Sequence, residues 1–128
     1  MRIELLTRLR AEAIAPAVTS ESGRAFVVQV EPDLVSGERI NVGVAAVAAD
    51  GCRLTRMLAD YGRIKCFYGA EVAELVEALA DFGRAAALSG AASPGPSVIF
   101  TTPQPFFGLS AEQYLDQLFA RVVPAAKP

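Results

Sequence analysis

Histidine is absent from this chain of 128 residues, which removes the side chain most often used as general base or metal ligand near neutral pH. Lysine occurs only at Lys65 and Lys127, and the 12 basic residues are scattered, against 14 acidic ones. No dense positive stripe of the kind that binds a phosphate backbone is present, so nucleic acid is a disfavoured partner. The two cysteines, Cys52 and Cys66, are too few for a disulfide scaffold and form no C-x-x-C pair. They read as two buried or half-buried thiols in a cytosolic chain, not as zinc ligands or nucleophiles. No apolar run approaches the ~20 residues that span a bilayer. Arg2, Glu4, Arg8, Arg10 and Glu12 interrupt anything that might serve as a signal peptide. These absences, with an alanine-rich composition in which arginine far outnumbers lysine, imply a bacterial cytoplasmic protein with no membrane partner.

Apolar residues make up 52% of the chain and charged residues 20%, which is ordinary globular usage. At this length folding buries roughly two-thirds of the unfolded surface, enough for one domain with its own core. Ile3, Leu5, Leu6, Leu9 and Ile14 predict a short amphipathic helix ending near Pro16. Residues 17–24 are small, polar and glycine-containing, as in a linker. The expected division is therefore an N-terminal helix and linker over 1–24, one domain over 25–124 and a tail over 125–128.

Ala25 to Glu31 reads as a first strand. Arg39 to Ala49 reads as a second, apolar on both parities, which predicts a central strand covered on both sides, by the chain's own core, its N-terminal helix or a second copy. Asp50-Gly51 predicts a two-residue turn into a third strand, Cys52 to Leu58, paired antiparallel with the second. An irregular piece over 60–69 precedes a helix from Ala70 to Leu88, with Val72, Leu75, Val76, Leu79 and Phe82 expected inward. After a loop over 89–97, Val98 to Thr102 forms a fourth strand, and Pro103 and Pro105 forbid its continuation. Of the adjacent Phe106 and Phe107, one ring should be exposed. Ser110 and Gln113 predict a capping box for a last helix with Tyr114, Leu115, Leu118, Phe119 and Val122 inward. The fold class is α+β: a mainly antiparallel sheet of three to five strands, two helices packed on it, and the N-terminal helix.

The loop between the first two strands gathers most of the polar groups. Glu31, Asp33, Glu38 and Asn41 are of the types that ligate a hard cation, but each also has a structural use. Asp33 can cap the turn, Gly37 can supply a positive φ, and Asn41 can bond the loop backbone. Asp33, Gly37, Glu38, Arg39 and Asn41 form the candidate binding loop; no metal site is assigned. Pro32-Asp33 invites comparison with nucleases that add an acidic-x-Lys on a neighbouring strand, but Arg63 stands two places before Lys65, so that motif fails. Gly43, within a strand, marks a bulge or a close backbone approach. Arg56 shares the parity of Cys52, Leu54 and Leu58, so its guanidinium needs a carboxylate partner, with Glu38 or Asp60 nearest in the inferred topology. Arg56, Arg63 and Lys65 form a candidate basic rim; the segment with Arg63, Lys65 and Tyr68 can join the first loop as one rim of a cleft, but its Tyr and Phe side chains are equally suited to seating the next helix, the role assigned to them.

Pro32, Asp33, Gly37, Glu38, Asn41, Val42, Gly43 and Val44 together resemble the P-D-x-x-x-G-E-x-x-N-V-G-V signature of a small bacterial family, the domain of unknown function numbered 3037. Arg63 to Phe67 and Ser110 to Phe119 extend the resemblance across about Ala25 to Val123. It implies no activity, cofactor or catalytic residue; some members are encoded beside HipA-like kinases, which implies a functional neighbourhood. The sequence therefore predicts a non-enzymatic protein-interaction or accessory module, self-associating or bound to a partner such as a HipA-like kinase. The competing expectation is a small metal-assisted hydrolase or nuclease-like enzyme using Asp33 and Glu38, with Arg39, Arg56 or Lys65 stabilising negative charge.

Overall fold

The computed structural model describes residues 21–33 and 37–123. The expected N-terminal helix, the first half of the linker, Lys127 and the tail lie outside the described residues. Five strands form one antiparallel sheet: β1 (Glu21–Val30), β2 (Ile40–Ala48), β3 (Arg53–Met57), β4 (Val98–Phe100) and β5 (Gln104–Phe107). Among the described residues three helices accompany them: α1 (Gly62–Tyr68), α2 (Ala70–Ser89) and α3 (Ala111–Val122). The sheet order is β3-β2-β1-β4, with β5 also on β1. The α+β class and the mainly antiparallel sheet stand as read from the sequence.

Alternation along β1 divides the interior into two layers. Phe26, Val28 and Val30 join Val42, Ala45, Val76 and Ala80 on the face covered by α1 and α2. Ala25, Val44 and Ala46 join Phe106, Leu115 and Leu118 on the face covered by α3. Strand β2 is buried on both sides by the chain's own helices, so neither a second copy nor the N-terminal segment is needed to cover it. The register slips where Val28 faces Gly43 while Gln29 faces Asn41, leaving Val42 as the extra residue of a bulge. Gly43 sits there because a side chain would run into Met57 and would come within 2.9 Å of the Arg56 carbonyl.

Several boundaries differ from expectation. Strand β1 begins at Glu21, not Ala25: the end of the supposed linker pairs with β5, Gly23 opposite Phe106. The Ala48 amide donates to Cys52 O at 2.8 Å, and the loop which that pair closes has three residues, Ala49, Asp50 and Gly51, not two. Gly51 takes φ +92° as the last of them, and the Asp50 carboxylate accepts from the Cys52 amide at 2.9 Å. Residues 62–68, read as irregular, form α1, its single buried residue Ile64 facing the core. Strand β5 continues the edge line of β4 despite Pro105, because an outer strand tolerates a missing donor. Thr101 bridges the gap, donating its amide to Val27 O at 3.1 Å while its hydroxyl accepts from Val27 N at 2.8 Å.

Helix α2 presents a different face from the one its large residues suggest. Ala73, Val76, Ala80, Gly83, Ala86 and Ala87 are buried, Val72 and Leu79 partly so, while Leu75 and Phe82 are exposed. Small residues bring the helix axis close to the sheet; a Cβ at Gly83 would stand 3.0 Å from Val28 Cγ1 and 3.1 Å from Val98 Cγ1. Helix α3 follows its pattern, with Leu115 and Leu118 buried and the Ser110–Gln113 capping box formed. Phe106 is buried and stacked on Tyr114 at 4.5 Å, and Phe107 is half exposed.

Candidate functional site

The chain leaves β1 at Glu31, whose amide donates to Ser97 O at 2.8 Å. The Glu31 carboxylate, largely buried, then pairs with Arg39 Nε at 3.5 Å. Gly37, at φ +70°, donates its amide to Asp33 O at 3.1 Å, which turns the chain back toward β2. Arg39, Ile40 and Asn41 therefore stand as a fixed wall at the start of β2. Helix α1 supplies the opposite wall: Ile64, Phe67 and Tyr68 recur at i, i+3 and i+4 and share one face, with Arg63 beside them. The cavity between the walls measures about 310 Å³. Ile64 is its buried floor, and Phe67 is 80% exposed at its mouth. Tyr68 ties the walls together by donating its hydroxyl to Glu38 Oε2 at 2.5 Å. That bond to a carboxylate holds the Tyr68 hydroxyl above its usual pKa, so it remains a donor.

Of the predicted loop, Arg39 and Asn41 line this cleft, Glu38 braces its rim through Tyr68, and Asp33 and Gly37 shape the turn behind it. The basic rim divides. Arg63 belongs to the cleft, whereas Lys65 faces a separate depression with Tyr61, Glu74 and Glu77. Arg56 lies across the sheet, ion-paired with Asp116 of α3 rather than with Glu38 or Asp60. Its strand register explains this: Arg56 pairs with Val44, whose side chain belongs to the α3 layer.

Asn41 does not bond the loop backbone as expected. Its amide donates to Val122 O at 2.7 Å, in the last turn of α3, and accepts from Gln29 Nε2 at 2.9 Å. It thus satisfies a helix-terminal carbonyl that would otherwise be orphaned. With Val42 in the bulge, Gly43 at the close approach and Val44 in the core, the N-V-G-V portion of the signature is accounted for by folding. Phe67 and Tyr68, assigned in sequence to helix seating, are instead the exposed aromatic wall. The spacing of Ile64, Phe67 and Tyr68 carried that signal, hidden by reading the segment as irregular.

Three of the four polar loop residues turn to separate partners. Glu31 meets Arg39, Glu38 meets Tyr68, and Asn41 meets α3. Among the described residues no group of three His, Cys, Asp or Glu side chains is placed to share a cation. Cys52 and Cys66 are both exposed, contrary to expectation. The Asp50 carboxylate beside Cys52 pushes that thiol's pKa up, away from the thiolate that nucleophilic chemistry needs. What the cleft offers is an apolar floor, an aromatic lip and a rim of guanidinium and amide donors, an arrangement suited to holding a ligand. Among the described residues no helix is long and apolar enough to cross a membrane. Comparison with known protein families, characterised proteins and solved structures finds no match to this chain.

Proposed function

We propose that the chain is a non-enzymatic protein-interaction or accessory module that receives its partner in the cleft between the start of β2 and α1. The observation that carries this reading is Phe67: an aromatic ring left 80% exposed on a short helix, beside two arginines and over an apolar floor. Exposed aromatic and arginine side chains around a pocket are the groups that dominate protein interfaces, where a ring buried by the partner supplies most of the affinity. Tyr68 and Glu38 fix the cleft before any partner arrives, which lowers the ordering cost of binding. The family resemblance makes a HipA-like kinase the first partner to examine.

A photo-crosslinking amino acid placed at position 67 in living cells tests this. A discrete adduct with one protein is expected, absent when the same group replaces the exposed Gln117 on α3. Equal labelling from both positions, or no adduct from position 67, would refute the reading.

A further inference from the structure

The sheet ends on β3, and the outer side of that strand is unprotected. The Ala48 amide donates to Cys52 O and the Leu58 amide to Val42 O, both at 2.8 Å. Bonded pairs alternate along an antiparallel ladder, so the backbone of Leu54 and Arg56 turns to β2 while that of Arg53, Thr55 and Met57 turns outward. Among the described residues no strand pairs with those outward groups. The opposite edge is blunted by its break between Phe100 and Gln104 and by Pro105. Strand β3 has no proline, lysine or bulge. Its two arginines lean over the faces of the sheet instead of guarding the edge: Arg53 donates to Ala87 O at 3.3 Å, and Arg56 pairs with Asp116.

The residues of β3 match a second copy of themselves. An antiparallel copy centred on Thr55 sets Thr55 against Thr55, Arg53 against Met57 and Leu54 against Arg56. This register pairs all five residues, faces outward backbone groups with outward ones, and puts no arginine opposite another. Centring on Arg53 or Arg56 would set two guanidiniums face to face. Leu54 and Arg56 also line a groove with Glu112 and Asp116 of α3. That groove holds one cation and two carboxylates, of which Asp116 already takes Arg56. A second copy brings its own Arg56 over Leu54, 36% exposed, on the side of Glu112, so the two grooves are complementary in charge.

We infer that two copies of the chain join β3 to β3, antiparallel about Thr55, so that one continuous sheet runs through both. This does not rest on the cleft reading. Five residues a side make a small interface, so the pair dissociates on dilution. Sedimentation equilibrium and amide exchange by NMR on the full chain test it. From micromolar to millimolar concentration the mass should rise from one chain toward two. The Arg53, Thr55 and Met57 amides should slow about tenfold over that range, while those of Leu54 and Arg56, already bonded to β2, change little. Thr55→Pro deletes both donors of the central pair and no bond to β2, so the dissociation constant should rise about thirtyfold. Leu54→Lys sets a cation opposite Arg56, should weaken the pair by about tenfold, and serves if Thr55→Pro unfolds. A single-chain mass at every concentration, a dimer whose odd-numbered β3 amides stay unprotected, or one that the folded variants form as tightly as wild type would overturn the inference. Protection of those amides within a single chain would give the edge another occupant and overturn it equally.

Discussion

Gly83→Ala sets two large effects against each other, and the structure decides between them. In an exposed helix interior the exchange would stabilise by about 1 kcal/mol, because alanine loses less backbone entropy than glycine. Here the new methyl would meet Val28 Cγ1 at 3.0 Å and Val98 Cγ1 at 3.1 Å. Carbon atoms prefer about 3.5–4.0 Å, so each contact overlaps by roughly half an ångström or more. Both valines are fully buried β-branched residues in strands, where χ1 is restricted and little room is left for them to give way. Relief requires lifting α2, which separates Val76, Ala80 and Ala87 from the sheet. Overpacking of this kind costs about 1–3 kcal/mol, so a net loss of about 1 kcal/mol is expected. With a urea m-value of about 1.5 kcal/mol/M, the midpoint should fall by roughly 0.7 M with m unchanged. Ala85→Gly, on the exposed face of the same helix, should also destabilise, by about 1 kcal/mol. If Gly83→Ala is as stable as wild type or more so, the small-residue account of how α2 seats is wrong.

Asn41→Ala should cost about 2 kcal/mol in urea unfolding, since Val122 O and Gln29 each lose a partner. Asn41→Asp should cost at least as much, because it sets a carboxylate against the negative end of α3; unchanged stability in both would make Asn41 a residue of the cleft alone. The Arg56–Asp116 pair, at 49% and 51% exposure, should show a coupling below about 1 kcal/mol in a double-mutant cycle and weaken with salt. Burial, then Glu77 and Asp81, push the Tyr61 pKa up to about 12. The unfolded phenol ionises first, near pH 10, so stability should decline as pH rises from about 10 through 12. With a half-exposed ring screened by solvent, the loss is about 1–2 kcal/mol. Tyr61→Phe should flatten that alkaline limb, and an unaltered limb would assign it to other groups.

The sequence revealed the layers of this fold better than its seams. Two-sided apolarity of Ile40–Ala48 announced a central strand, and Gly43 announced a close approach, because both signals depend on the strand itself. The inward face of α2 was misread because hydrophobicity favours Leu75 and Phe82, whereas contact distance at Gly83 favours alanine; that preference belongs to the partner surface. Gln104–Phe107 was missed because Pro105 argues against a strand unless the strand is known to be outermost. At the candidate site the loop was legible, since Pro32, Asp33 and Gly37 favour a turn wherever they occur. Its opposing wall was legible only as a segment able to join the loop in a cleft rim, because seven residues of helix yield little periodicity and only the tertiary fold sets Phe67 and Tyr68 opposite Arg39. Arg56 was assigned to the wrong neighbourhood for a related reason: parity gave its face, but not the helix covering that face.

Hydrogen exchange on the chain, free and saturated with the protein crosslinked at position 67, tests the central claim most directly. The account predicts slowing confined to amides 38–41 and 62–69, the two walls of the cleft. Slowing instead over β3 and α3, with those walls unchanged, would contradict it.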